Sequence, residues 1–202
     1  MIKKIISILS VVLLLASCSH EVLIDNPTNN DVKVIVKGKE VLVKANSTQK
    51  IKVAKGLNSI LSIASSGDTL VNENVEIFNE GLLNVTKSNY AIWKDVFCEE
   101  ADYERYKAKL NLKDTVVVGE LEFVDIDLVL LNDVFIAKTW DLGIDKNMPE
   151  SVEIAEDEKF KIVSKIYHVA ELKEVFNYYG DYDFTNLTEE EINKLINNRE
   201  NN

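Results

Sequence analysis

The chain has 202 residues, 46% of them hydrophobic, and sets 23 basic against 34 acidic side chains for a formal charge of −11. That balance repels phosphate backbones and excludes nucleic acid as a partner. Two prolines and seven glycines argue against a low-complexity or disordered chain, and the length suffices for a buried core in one or two domains.

The chain opens Met1-Ile-Lys-Lys4, runs apolar from Ile5 to Leu15 and reaches Ala16-Ser17-Cys18. A basic start, an apolar middle and small residues at the end are the layout of an export signal. The apolar stretch is about a dozen residues, whereas a helix needs roughly twenty to cross a bilayer. Polar Ser19, His20 and Glu21 follow at once. Residues 1–17 are read as a cleaved signal.

Leu15-Ala16-Ser17-Cys18 resembles the lipobox of bacterial lipoproteins. The resemblance implies a cut between Ser17 and Cys18, diacylglycerol on the Cys18 thiol and usually an acyl chain on the new amino terminus. Residues 18–21 then form a lipidated tether. Ser19 stands where enterobacterial proteins kept in the inner membrane have Asp, which favours the outer membrane of the cell envelope. Losing residues 1–17 removes Lys3 and Lys4 and no acid, so the formal charge moves from −11 to −13. Such a body is expected to be repelled by anionic lipid, leaving the acyl chains as its sole attachment to the membrane.

From Val22 to Val96 short strands alternate with turn punctuation. Val22-Leu-Ile24 precedes the turn cluster Asp25–Asn30; Val32, Val34 and Val36 alternate with Lys33, Ile35 and Lys37; and Gly38 turns into Glu40–Val43. Ile51 and Val53 alternate with Lys50 and Lys52 before Lys55-Gly56, and Ile60–Ile63, Val75–Ile77 and Leu82–Val85 follow. Strands at this spacing predict a small antiparallel β-sandwich over residues 22–96. The segment Val32 to Ile63 resembles PEGA-type, immunoglobulin-like and carboxypeptidase-regulatory-like β-domains of envelope proteins, with Val53-Ala-Lys-Gly56 standing where the name-giving Pro-Glu-Gly-Ala would be. Asn26-Pro27, Gly38, Lys55-Gly56 and Gly81-Leu-Leu-Asn84 are together similar to lipoproteins of Bacteroidetes.

The character changes around Asn89-Tyr-Ala-Ile-Trp93. Residues 97–180 read as an α+β domain: a charged helix near Glu99–Leu110, then strands at Thr115–Val118, Leu121–Leu131 and Val134–Ile136 that form a second sheet or extend the first, a loop at Asp141–Pro149 and a strand at Phe160–Tyr167. Val169, Leu172, Val175, Phe176 and Tyr179 form one apolar helical face ended by Gly180. Residues 181–202 form a helical tail with a capping box at Thr188–Glu191 and a short apolar face of Ile192, Leu195 and Ile196. The whole is mainly β, an α+β chain with C-terminal helices.

Catalytic chemistry leaves little trace. His168 ends a strand, and no Gly-x-Ser-x-Gly elbow is present to offer it a nucleophile. No zinc, calcium or nucleotide motif occurs, so neither a metal nor a cofactor is expected. Cys98, once Cys18 is lipidated, has no thiol to pair with in the chain, and its acidic neighbours predict an inert thiol, a small buried apolar side chain rather than a nucleophile. Trp140, Asp141, Asp145 and His168 are the residues expected to contact any ligand, since they flank a strand-to-loop junction. Asp68-Thr-Leu70 and Asp114-Thr-Val116 match the short Asp-Thr-apolar pattern of O-glycosylation in Bacteroidetes. The expectation is a non-catalytic envelope lipoprotein, an interaction or structural module with a protein or glycan partner. The alternative is a small carboxylate-dependent hydrolase of envelope polymers, which needs two acids about 5–10 Å apart. A solute-binding protein would show the βαβ alternation missing here.

Overall fold

The computed structural model describes residues 19–118 and 121–172. Ser17, Cys18 and the apolar lead-in lie outside the described residues, as do the tail helix and most of the apolar face that runs to Tyr179. Of that face, residues 169–172 are described and are helical.

The strands in chain order are β1 (Ser19–Asn26), β2 (Val32–Val36), β3 (Lys39–Val43), β4 (Ser47–Ala54), β5 (Gly56–Ala64) and β6 (Thr69–Ile77). They continue with β7 (Gly81–Asn84), β8 (Tyr90–Cys98), β9 (Lys113–Val118), β10 (Leu121–Leu131), β11 (Phe135–Ala137) and β12 (Phe160–His168). A 3-10 turn at Glu100–Asp102 and the short helix α1 (Tyr103–Lys107) separate β8 from β9. The protein is mainly β, with three four-stranded sheets among the described residues. No helix among them is long and apolar enough to cross a membrane.

The described residues form two compact units: one holds residues 19–88 together with Asn132–Lys138, the other residues 89–118, 121–131 and 139–172. The border drawn from sequence at 96/97 falls inside β8. That strand stays whole, in the second unit.

In the first unit one sheet has the order β11-β7-β1-β4 and the other β3-β2-β5-β6. Alternation explains their pairing face to face. Val22 and Ile24 of β1, Val53 of β4 and Leu83 of β7 meet Val32, Val34 and Val36 of β2, Val43 of β3 and Ile60 of β5 in one buried cluster. Each such side chain removed from water contributes about 1.5–3 kcal/mol. The sandwich is not antiparallel throughout, because β1 and β7 run parallel, with Val22 opposite Gly81 and Asp25 opposite Asn84. The β2–β3 turn is Lys37-Gly38, both at positive φ (47° and 79°), the two-residue hairpin that suits the strand twist.

Two asparagines fasten the ends of the parallel pair. Asn26, fully buried, donates through Nδ2 to the carbonyls of Asn30 (2.8 Å) and Lys44 (3.0 Å), while its Oδ1 accepts from Thr28 N and Oγ1. Asn84 does the same at the end of β7, donating to Ser88 O (2.7 Å) and Asn132 O (3.2 Å) and accepting from Ser88 N (2.9 Å). Through Asn84 the returning segment is held in place, and β11 adds to β7 with Phe135 opposite Leu83 and Ala137 opposite Gly81. Val134–Ile136, expected in a second sheet or in an extension of the first, takes the latter place through β11.

The second unit is built on the sheet β12-β8-β10-β9. β8 is central, with Trp93 opposite both Lys165 of β12 and Leu128 of β10. Tyr106 of α1 stacks on Phe160 of β12 with ring centroids 4.5 Å apart, which lays the helix against one end of this sheet.

Candidate functional site

Four of the residues singled out by sequence lie in the second unit along β12. Trp140 is buried, and Asp141 and Asp145 are exposed. Asp141 lies against Ser164: its Oδ2 accepts from Ser164 N (2.9 Å) and Ser164 Oγ (2.7 Å), and its own N–H donates to Ser164 O (3.0 Å). The next residue continues the contact, with Leu142 N donating to Ser164 O and Ile166 N to Leu142 O, a parallel bridge that covers the outer edge of β12.

Asp145 acts on the neighbouring Lys165, whose charged form it favours. His168, buried, ends the same strand, its ring 5.2 Å from that of its register partner Tyr90. Four extended residues separate it from Ser164, about 13 Å of strand. The structure therefore brings Asp141 onto Ser164, sets the charge of Asp145 within electrostatic reach of Lys165, and leaves His168 further along.

Register shows a polar row that the sequence reading missed. Ser164 lies opposite Lys94, and Lys94 opposite Asp127, so three adjacent strands present these side chains on one face. Lys94 Nζ is 3.3 Å from Asp127 Oδ2, which is buried and also accepts from the backbone N of Asn111 (3.0 Å). With Asp141 at the other end, the row reads Asp141, Ser164, Lys94, Asp127. It fastens the connection after α1 at one end and the loop after β11 at the other. Three strand spacings, about 14 Å between backbones, part the two carboxylates, and their oxygens are taken up by N–H and O–H donors. The only sequence signal was a polar residue inside each of three largely apolar strands.

Lys165 is the second omission. It points to the opposite face from Ser164, is 3% exposed, and holds Nζ 3.4 Å above the ring centroid of Tyr167. Burial pulls its pKa down from 10.5 to about 8, with Glu171 and Asp145 resisting the shift. The ring face supplies the favourable contact for whatever charge remains.

Cys98 is only partly buried, short of the burial expected of it, yet desolvation, then the charges of Asp102, Asp95 and Glu99, push its thiol pKa up, away from reactive thiolate. Burial likewise raises the carboxyl of Asp95. No group of three or more His, Cys, Asp or Glu side chains among the described residues is arranged to hold a metal ion. Thr69 of the first Asp-Thr-apolar motif is exposed at the start of β6, whereas Thr115 of the second lies within β9. Comparison with protein-family models, with curated proteins and with solved structures finds no match.

Proposed function

We propose that the protein is a lipid-anchored component of the bacterial cell envelope that works as a non-catalytic interaction or structural module. The observation that carries this reading is Leu15-Ala16-Ser17-Cys18, which puts the lipobox cysteine one residue before the first strand of a folded sandwich. The reading gains support from the row on the third sheet, whose carboxylates are engaged in fastening connections, and from the high thiol pKa of Cys98. The stretch from Val32 to Ile63, with its turns at Lys37-Gly38 and Lys55-Gly56, is proposed as the PEGA-like part of the module.

The test is fractionation of cells making the natural chain or Cys18→Ala. The natural protein is expected with the membranes, in the outer membrane where that membrane exists, and the variant in the soluble envelope fraction. Equal recovery of both with membranes would contradict the anchor.

A further inference from the structure

The first unit has two unlike ends. The chain enters at Ser19, and connectivity puts four other segments at that end: the β2–β3 turn at Lys37-Gly38, the β4–β5 turn at Lys55, the β6–β7 connection Phe78–Glu80, and Lys138 after β11. Of the four large apolar side chains exposed among the described residues, two lie here, Leu57 (65% exposed) and Phe78 (51% exposed). Lys37, Lys39 and Lys55 are also exposed here and make no ion pair among the described residues, while Lys138 pairs with Glu80 at 3.3 Å. Other carboxylates also stand at this end: Glu76 opposite Leu57, Glu40 beside Lys39 in the chain and paired with Lys33, and Glu21 of β1, paired with Lys50.

The far end differs. Leu42 (52% exposed) is its one exposed large apolar side chain among the described residues, two positions before the turn at 44–46, and its lysines are paired, Lys44 with Asp31 and Lys87 with Glu73.

Strand β1 begins at Ser19, so Ser19 to Glu21 are not free tether. One residue of extended chain reaches at most about 3.6 Å. A sulfur on Cys18 carrying acyl chains would hold this end, and not the far one, within a few ångströms of the headgroups.

We propose that this end of the sandwich is a bilayer-contact surface, on which Leu57 and Phe78 enter the boundary between headgroups and acyl chains and Lys37, Lys39 and Lys55 face anionic headgroups. The proposal rests on the anchor reading above and changes one expectation drawn from it. Net charge predicts a body held off the membrane, but charge is local: a few lysines beside exposed apolar tips suffice for interfacial binding when an acyl chain already supplies proximity.

The full chain, made in a bacterium that lipidates it, is reconstituted into vesicles of phosphatidylethanolamine and phosphatidylglycerol. In a Cys98→Ser background, single substitutions Leu57→Cys, Phe78→Cys and, at the far end, Ser66→Cys carry an environment-sensitive fluorophore. Brominated lipids are expected to quench positions 57 and 78 several-fold more than 66, and aqueous iodide to show the reverse order. Adding Lys37→Glu and Lys55→Glu is expected to weaken the lipid quenching at 57, most in vesicles rich in phosphatidylglycerol. Intact mass of the same samples reads the acyl chains separately. Acyl mass with equal, iodide-accessible signals at all three positions overturns the surface and leaves the anchor standing. Lipid quenching at 57 and 78 without acyl mass overturns the anchor and keeps the surface.

Discussion

Asp141 and Ser164 are bound to each other through both backbone and side chain. The Asp141 carboxylate takes the Ser164 N–H at 2.9 Å and its hydroxyl at 2.7 Å, while the Ser164 carbonyl takes the N–H of Asp141 at 3.0 Å. An edge strand otherwise presents a row of unpaired backbone groups that invites association with another chain. Here a loop residue mimics a strand neighbour. Asp141→Ala leaves the Ser164 N–H without its partner, and the expected loss is about 1–3 kcal/mol of second-unit stability. Both tryptophans, Trp93 and Trp140, belong to that unit, so the urea midpoint of tryptophan fluorescence reads the loss directly. Amide exchange at Ser164 should accelerate with it.

Lys165 gives a pH dependence of definite sign. Its folded pKa, about 8, lies below the ordinary 10.5. Between those values the unfolded chain binds more protons than the folded one, so stability rises with pH across that window. Below it the buried charge carries its full cost, on the order of 3 kcal/mol for a shift of this size. Lys165→Met is therefore expected to be the more stable protein at pH 7, with its advantage shrinking as pH climbs from about 8 to 10.5. Chemical denaturation of both proteins across that range checks it. An advantage that grows with pH would contradict the assignment.

Gly81 is fixed by close approach. A Cβ at this position would collide with the carbonyl oxygen of Ile136 and lie 2.6 Å from the Phe135 ring. Gly81→Ala should cost about 1–3 kcal/mol by overpacking and should speed amide exchange in β11 and β7. Substituting Gly143 meets only the flexible end of Asp145, so Gly143→Ala serves as the milder comparison.

Asn26→Ala and Asn84→Ala test whether the paired side-chain anchors hold the first unit together. Each leaves partly buried carbonyls and an N–H without the side-chain partner, for an expected loss of about 1–3 kcal/mol apiece. Asn84→Ala should additionally release β11, since Asn132 O is one of its acceptors. Selective loss of exchange protection at Ile136 is the expected sign of that release.

Much of the first unit was legible because period-two alternation is a local property: Val32, Val34 and Val36 marked the inward face of β2, and Gly38 and Gly56 marked the turns. Partner choice is not local. Nothing in Phe135–Ala137 names β7 as its partner across some fifty residues, and although the change of character at Asn89–Trp93 marks the start of the second unit, the alternation of Tyr90–Cys98 does not say which strands will flank it. The same holds for the polar row. Lys94, Asp127 and Ser164 lie far apart in the chain, and only register aligns them. Trp140 and His168 attracted notice as rare residue types at a junction, yet both are buried. Asp141 does meet the strand, at Ser164, and the charge of Asp145 is felt at Lys165.

The most direct test of the anchored, envelope-facing account is mass spectrometry of the N-terminal peptide of the protein recovered from its own membranes. A chain that begins at Cys18 and carries diacylglycerol on that sulfur is the expected result. A peptide that begins upstream of residue 18, or one that begins at Cys18 with an unmodified thiol, would contradict it.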